Sequence, residues 1–491
     1  MILSGKKFMA ALLSATAFAG TLYGKIITAP LICDYMVLQR DMKVPVWGKA
    51  EPGEKITVEF AGQKVETVTG KDGKFMAVLA PMKASAENRD MTISGKSEKV
   101  VLKNVLVGEV WLGGGQSNME IQLKTCIRRF PEEERDMSYK NCANDMLRIA
   151  KVYPPDWSEL PCDDFPVKWQ VITPEIAWNM SATGYYFATE LSKELKIPVG
   201  FIQSCRSGTY IEAWTSLEGF SMEPRLKKTY AKAKARQAAP PELPAGANRK
   251  ENKYFHTPTV LYNRMIHPLA PYAMKGVIWY HGSNNLNNGP KYFQRLEALY
   301  AGWKKAFRNP ELRFYLAQLA PFSCFDPNGT ALPVFWETQE RFAKAHAPFT
   351  GQAVLIDVGE IDDIHPKDKR PVAKRLAALA LNRDYGRKDI PCDSPVFRKA
   401  TAAGGKLILE FDAVKEFKAV GDPGKWFVVA DASGIFYRVT EVKFDGNKII
   451  LASKFVKKPT QVRYGWLNAV TGNIFNEGGL PLGAFRYEPA E

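Results

Sequence analysis

Three glycines, Gly113-Gly114-Gly115, run directly into Gln116-Ser117-Asn118-Met119. Glycines at the end of an apolar run allow a tight strand-to-helix turn that exposes a serine hydroxyl. Near the other end of the chain, Asp362-Asp363-Ile364-His365-Pro366 offers an imidazole with a carboxylate three residues before it. Two further segments, Gln203-Ser-Cys-Arg-Ser-Gly208-Thr-Tyr210 and Tyr280-His-Gly282-Ser-Asn284-Asn285, supply glycine and amide donors. A nucleophile, a base, an acid to orient it and oxyanion donors together make the inventory of acyl transfer.

Rival chemistries can be drawn from the same residues. Cys205 offers a thiol, but a small buried residue is the default there. Glu109 and Glu212 could pair as the acid and base of a glycosidase, although strand-end carboxylates more often hold structural ion pairs. Asp363 competes with Asp362 to orient His365. His281 stands beside the proposed site and is a substrate-contact candidate, as are Gln116, Asn284 and Trp214. For His281 and Trp214 a packing role is the default. His256, His267 and His346 complete the five histidines and read as structural or surface residues. No Cys/His spacing supports a metal site, and the reading calls for no cofactor.

The elements that must position these groups are legible as short apolar runs. Val105–Leu112, Val199–Ile202, Gly276–Tyr280 and Ala353–Ile356 read as strands buried on both faces. Helical spacing separates them: Phe187, Leu191 and Leu195 share one face behind a Ser181 N-cap, and Val372, Leu376 and Leu379 repeat the pattern. Strands alternating with helices predict an α/β domain with a parallel sheet over residues 104–385, whose ligands gather at the carboxyl ends of the strands. Each chemical segment above ends one of those runs. Residues 25–103 alternate as β, with Ile56, Val58 and Phe60 on one face and a turn at Asp72-Gly73. Residues 391–491 return to β, with Leu407, Leu409 and Phe411 alternating and a turn at Asp445-Gly446-Asn447. Pro240–Asn248 is an exposed loop inside the central domain.

Composition bounds the rest. The 491 residues are 46% hydrophobic with 57 aromatics, which excludes a disordered chain. No internal stretch is apolar for long enough to span a membrane. At the start, Lys6 and Lys7, the apolar run Phe8–Ala15 and Ala17-Phe18-Ala19 form a secretory signal over residues 1–19, so the protein is expected to be periplasmic or secreted. Its removal leaves 65 basic against 52 acidic residues, a net +13. The lysines are dispersed, the densest run (Arg225–Arg236) reads as one helix, and no nucleic-acid motif occurs, so nucleic acid is not expected as a partner. Seven Cys are too few for a disulfide scaffold. Oligomeric state is not readable from the chain.

The segments Gly115-Gln-Ser-Asn-Met119, Gly208-Thr-x-x-Glu212-Ala-Trp214, Gly276-Val-Ile-Trp-Tyr-x-Gly282 and Asp362-Asp-Ile-His365-Pro resemble the block motifs of SGNH (GDSL-like) hydrolases. More narrowly, with Met36-Val-Leu-Gln39, Val462-Arg-Tyr-Gly-Trp466, Gly478-Gly-Leu-Pro481 and Phe485 added, the chain is similar to the bacterial sialate O-acetylesterase family. The resemblance implies a three-layer central domain flanked by β-rich domains. It also implies metal-free hydrolysis of acetyl esters on sugars through an acetyl-enzyme. Carried over by position, Ser117 is the nucleophile, His365 the base and Asp362 its orienting acid. Ser117, Gly208 and Asn285 would form the oxyanion hole.

Two departures stand out. The family usually has Gln-Gly-Glu-Ser-Asn where this chain has His281-Gly282-Ser283-Asn284-Asn285, which makes Asn284 a rival donor. Ser207 replaces a glycine before Gly208-Thr209. Acetylated sialic acid and acetylated plant polysaccharide such as xylan both stay open as substrates. So does a glycan-binding protein with a drifted site, which the intact Ser117, Asp362 and His365 disfavour.

Overall fold

In a computed structural model the described residues are 25–134, 140–242, 251–323, 326 and 328–489. The signal segment 1–19 and the loop beyond residue 242 lie outside them.

The central sheet is built from β1 (Lys99–Gly115), β2 (Asn144–Lys151), β3 (Trp169–Ile172), β4 (Val199–Cys205), β5 (Gly276–Tyr280), β6 (Arg313–Ala317) and β7 (Thr350–Ala353). Their order is β3-β2-β4-β1-β5-β6-β7, parallel throughout except for the β3–β2 edge pair. Every residue of β4 and β5 is buried, as strands covered on both faces must be. The covering helices include α1 (Ala182–Leu195), α2 (Tyr292–Ala306), α3 (Ala331–Ala345) and α4 (Arg370–Asp384). Helix α1 packs on α4, and α2 on α3. Ser181 caps α1 as its sequence suggests, its Oγ accepting from Gly184 N at 2.9 Å.

The last expected strand is displaced. β7 ends at Ala353, and Leu355-Ile356 form a turn. Their apolarity serves a different contact: Ile356 packs against Gly465 and Gly472 of the C-terminal segment, and its carbonyl accepts from Gly472 N at 2.9 Å. Strands β2, β3 and β6 were not singled out by the sequence pattern.

The β1 strand is seventeen residues long and does two jobs. Its first half pairs antiparallel with Ser85–Ser94 of the N-terminal β segment, and Val37–Gln39 joins it in parallel. Its second half is the middle of the central sheet. The expected boundary at 103/104 therefore falls inside a strand. At the junction the buried Glu109 accepts from Gln39 Nε2 (2.9 Å), Tyr385 Oη (2.9 Å) and Arg40 Nε.

The C-terminal β segment forms two four-stranded sheets and one two-stranded pair, and the Asp445–Asn447 turn joins Glu441–Asp445 to Lys448–Ala452. It docks on α3 and the turn after β7. Asn468 Oδ1 accepts from Leu332 N at 2.8 Å, and Arg486 pairs with Glu337 at 3.2 Å. No described helix is long and apolar enough to cross a membrane.

Candidate active site

β1 and β5 close together at their carboxyl ends, and only glycine permits it. Gly115 has φ +134°, and a Cβ there would lie 2.2 Å from Tyr280 O. Gln116 N then donates to Tyr280 O at 3.0 Å, and a short helix begins at Ser117. The half-exposed Ser117 hydroxyl lies 2.8 Å from His365 Nε2, on the loop between β7 and α4. Two residues 248 positions apart in sequence meet at hydrogen-bond distance.

The carboxylate beside the imidazole belongs to Asp363. Its Oδ1 is 3.6 Å from His365 Nδ1 and accepts from His365 N at 2.8 Å, while Oδ2 is 3.6 Å from Arg129 Nη1. Asp362, expected in that place, is exposed and makes no hydrogen bond or ion pair among the described residues. The cause is local: Asp363 N donates to Glu360 O at 3.1 Å, and this turn brings Asp363 to the ring and leaves Asp362 outside. Burial first, then the charges of Lys369 and Arg129 against that of Asp363, hold His365 below the ordinary imidazole range. At neutral pH the ring is an unprotonated base.

Of the three groups expected as oxyanion donors, one is not free to donate. Gly208 has φ +68° with open space around it, and its N–H and that of Ser117 take no partner among the described residues. Ser207 cannot substitute, because its N–H and hydroxyl both donate to Glu120 Oε2, the former at 2.6 Å. Asn285 is buried, and its whole amide is consumed. Oδ1 accepts from Ile211 N at 3.0 Å, and Nδ2 donates to Glu212 (3.0 Å) and Asn288 (2.8 Å). Asn284, one residue back, lines the site instead. Its Oδ1 accepts from Gln116 at 3.1 Å, and its Nδ2 spends one N–H on Gly208 O at 3.0 Å, leaving the other.

Three candidate substrate contacts turn out to be scaffold. Gln116 is 3% exposed: Nε2 donates to Thr209 O (2.6 Å) and Asn284, and Oε1 accepts from Gly282 N (2.9 Å) and Ser283 N (3.1 Å). It ties three strand-end loops together. His281 is fully buried between the rings of Trp279 and Tyr292, with its nitrogens 3.1 Å from Thr209 O and 3.0 Å from Tyr292 Oη. Burial pushes its pKa down to about 3, so it is a neutral core histidine. Trp214 is buried against Trp279 and donates to Thr209 Oγ1 at 3.0 Å.

The rival chemistries close as well. Burial pushes the Cys205 thiol far up, away from a nucleophilic thiolate. Glu212 is held by Arg295 and Asn285. Glu109 lies six residues before the Gly115 end of β1, roughly 20 Å from that end at strand rise. Among the described residues no three His, Cys, Asp or Glu side chains gather as a metal would require.

Several supporting residues were not given roles by sequence reasoning. His256 Nε2 lies 2.7 Å from Gly208 O, fixing that loop, and it had read as structural or surface. Asn118, Glu120, Arg129 and Lys369 surround the reactive pair without belonging to any chemical motif. Only Asn118, inside the quoted Gln116–Met119 block, carried a signal.

The family model for carbohydrate esterases of the sialic acid-specific acetylesterase type matches residues 107–347. A carbohydrate acetylesterase of Xanthomonas citri is 32% identical, superposes with a TM-score of 0.81, and covers 94% of this chain and 100% of its own. The chain belongs to the sialate O-acetylesterase family. Curated sialate O-acetylesterases of Rattus norvegicus and Homo sapiens are each 28% identical across 82% of this chain, covering 82% and 80% of their own lengths. As a member of that family the protein is a carboxylic ester hydrolase that removes O-acetyl groups from sugars. The α/β core with flanking β-rich segments is the architecture of this esterase family member throughout its described length.

Proposed function

We propose that Ser117 is the nucleophile of this esterase and His365 its general base, with Asp363 in place of Asp362 as the orienting acid. The observation that carries the reading is the 2.8 Å contact between Ser117 Oγ and His365 Nε2. With its proton on Nδ1, facing Asp363, the neutral ring accepts the serine hydroxyl proton at Nε2 as Oγ attacks the acetyl carbonyl. The Ser117 and Gly208 N–H groups and the remaining Asn284 N–H hold the oxyanion. Imidazolium then protonates the departing sugar oxygen, and water cleaves the acetyl-enzyme with His365 again as base.

The preferred sugar is O-acetylated sialic acid, a reading supported by the family description and the names of the mammalian relatives. The signal segment 1–19 supports export, with the substrate met outside the cytoplasm. Assaying the purified protein on a chromogenic acetyl ester, acetylated sialic acid and acetylated xylan, beside Ser117→Ala, tests both parts. Release of acetate from xylan but not from the sialic acid overturns the sugar. A Ser117→Ala protein as active as the wild type overturns the nucleophile.

A further inference from the structure

Lys369 is a cation with no exposed surface, four residues after His365 at the start of α4. Burying an ammonium is costly unless hydrogen bonds or opposite charge compensate it. Its Nζ donates to Asn118 Oδ1 and stands 5.7 Å from the centre of the Tyr280 ring, within cation–π range. It forms no ion pair among the described residues, so its charge is not cancelled at contact. Asn118 passes the connection on. Its Nδ2 donates at 3.1 Å to the carbonyl of Ile364, directly before His365, and its own carbonyl accepts from Thr183 Oγ1 at 3.2 Å. A continuous path, Lys369 to Asn118 to Ile364, joins the base-bearing loop to the residue next to Ser117.

Resting on the assignment of Ser117 and His365 above, we infer that Lys369 is a positioning residue for ester hydrolysis. Through Asn118 it fixes the His365 loop over Ser117, and its uncancelled charge keeps the imidazole unprotonated for attack. The groups facing this pair come from several elements. Asp363, Arg129 and Lys369 act on His365, while Cys126, Asp363, Arg129 and Glu360 act on Lys369. Burial holds the Cys126 thiol up and therefore neutral. Asp363 opposes the effect of Lys369 but is shared with Arg129. Burial brings Lys369 down to about 8, so it is still charged across the acid range in which an imidazole titrates.

The test is the pH dependence of kcat/KM on a chromogenic acetyl ester for wild type, Lys369→Gln, Lys369→Met and Lys369→Arg, with folding followed by circular dichroism. Glutamine keeps an N–H for Asn118 and loses the charge. Its acid limb should move to higher pH by about half a unit to one unit, the effect of deleting one nearby charge. Methionine loses both, so its limb should move equally and its plateau kcat should fall about tenfold further. Arginine keeps the charge and should leave the limb in place. An unmoved limb in folded Gln and Met variants overturns the inference. Should neither neutral variant fold, the Arg variant decides: a lowered plateau with the limb in place supports it, and a moved limb overturns it. Ser117→Ala and His365→Ala run alongside. Activity surviving in those two defeats the underlying assignment, whereas their silence with an unmoved limb in Lys369→Gln defeats only the role of Lys369.

Discussion

On one side of Ser117, Gln116, His281 and Asn285 spend their polar atoms on one another and on neighbouring backbone, and all three are buried. On the other side His365 rides a loop in which Asp362 is exposed and Asp363 and His365 each keep about a third of their side-chain surface. In the proposed mechanism the saturated wall is a fixed platform that presents N–H groups to developing charge. The open wall, in the same mechanism, is a tether whose charge balance, set by Asp363, Arg129 and Lys369, tunes the proposed base. Preorganised donors need rigidity because reorganisation during reaction would forfeit their effect. A base must exchange protons with substrate and water, which burial would hinder. The difference separates two kinds of mutational consequence, steep loss of rate on the platform and shifts of pH dependence on the tether.

The largest expected effect lies where the walls meet. Ser117→Ala should lower kcat about 10⁴-fold or more with folding intact, read by acetate release and circular dichroism. Next comes the platform's donor. Asn284→Ala should cost about 10²–10³ in kcat with little change in KM. Asn285→Ala should cost less than about tenfold in kcat while lowering unfolding free energy by roughly 1–3 kcal/mol, because Glu212 loses a buried partner. Reversal of that pair in steady-state kinetics would return the oxyanion role to Asn285 and break the picture of a spent amide.

On the tether, Asp363→Asn should lower kcat by about 10–10²-fold, less than for a fully buried orienting acid because solvent screens a half-exposed one. Asp362→Asn should change it less than about threefold. Equal losses would erase the distinction drawn between the neighbours.

The platform has a pH signature of its own. His281 titrates near 3 in the folded protein and near 6.5 when unfolded, so between those values the unfolded chain binds the extra proton. Stability is lost as pH falls through that window, by about 1.4 kcal/mol per pH unit from this residue. In urea titrations at pH 4.5 and 6.5, His281→Gln should show a correspondingly shallower dependence than wild type.

How far the sequence carried the site follows the same division. Ser117 and Gly208 could be placed beside strand ends because each follows a solid apolar run, whereas His365 comes well after β7 ends and was marked out by its Asp-x-x-His motif and the family resemblance. The choice between Asp362 and Asp363 was not legible, since a turn closed by Asp363 N on Glu360 O decides it and residue spacing is silent on turn phase. Asn285 read as a free donor, and His281 stayed a contact candidate beside its packing default, for a related reason. A polar residue beside a site looks available until its partners, here Glu212, Thr209 and Tyr292, are brought in from distant parts of the chain. The central strands β1, β4 and β5 could be read from their solid apolar runs. β7 could not: Thr350–Ala353 carries too few apolar residues, and the run after it is buried by the C-terminal segment. Lys369 gave no signal, because a lysine at a helix start is ordinarily a solvated one.

The shared β1 strand limits what can be cut away. Because one continuous backbone serves both the N-terminal sheet and the catalytic one, no interchangeable module ends before Ser117. A truncation at residue 104 would strip hydrogen-bond partners from the strand that leads into Ser117, and would strand Glu109 without Gln39 and Arg40. Engineering for new substrates or fusion partners therefore has its freedom in surface loops. The amino-terminal β segment, residues 25–103, must travel with the site as inherited cargo.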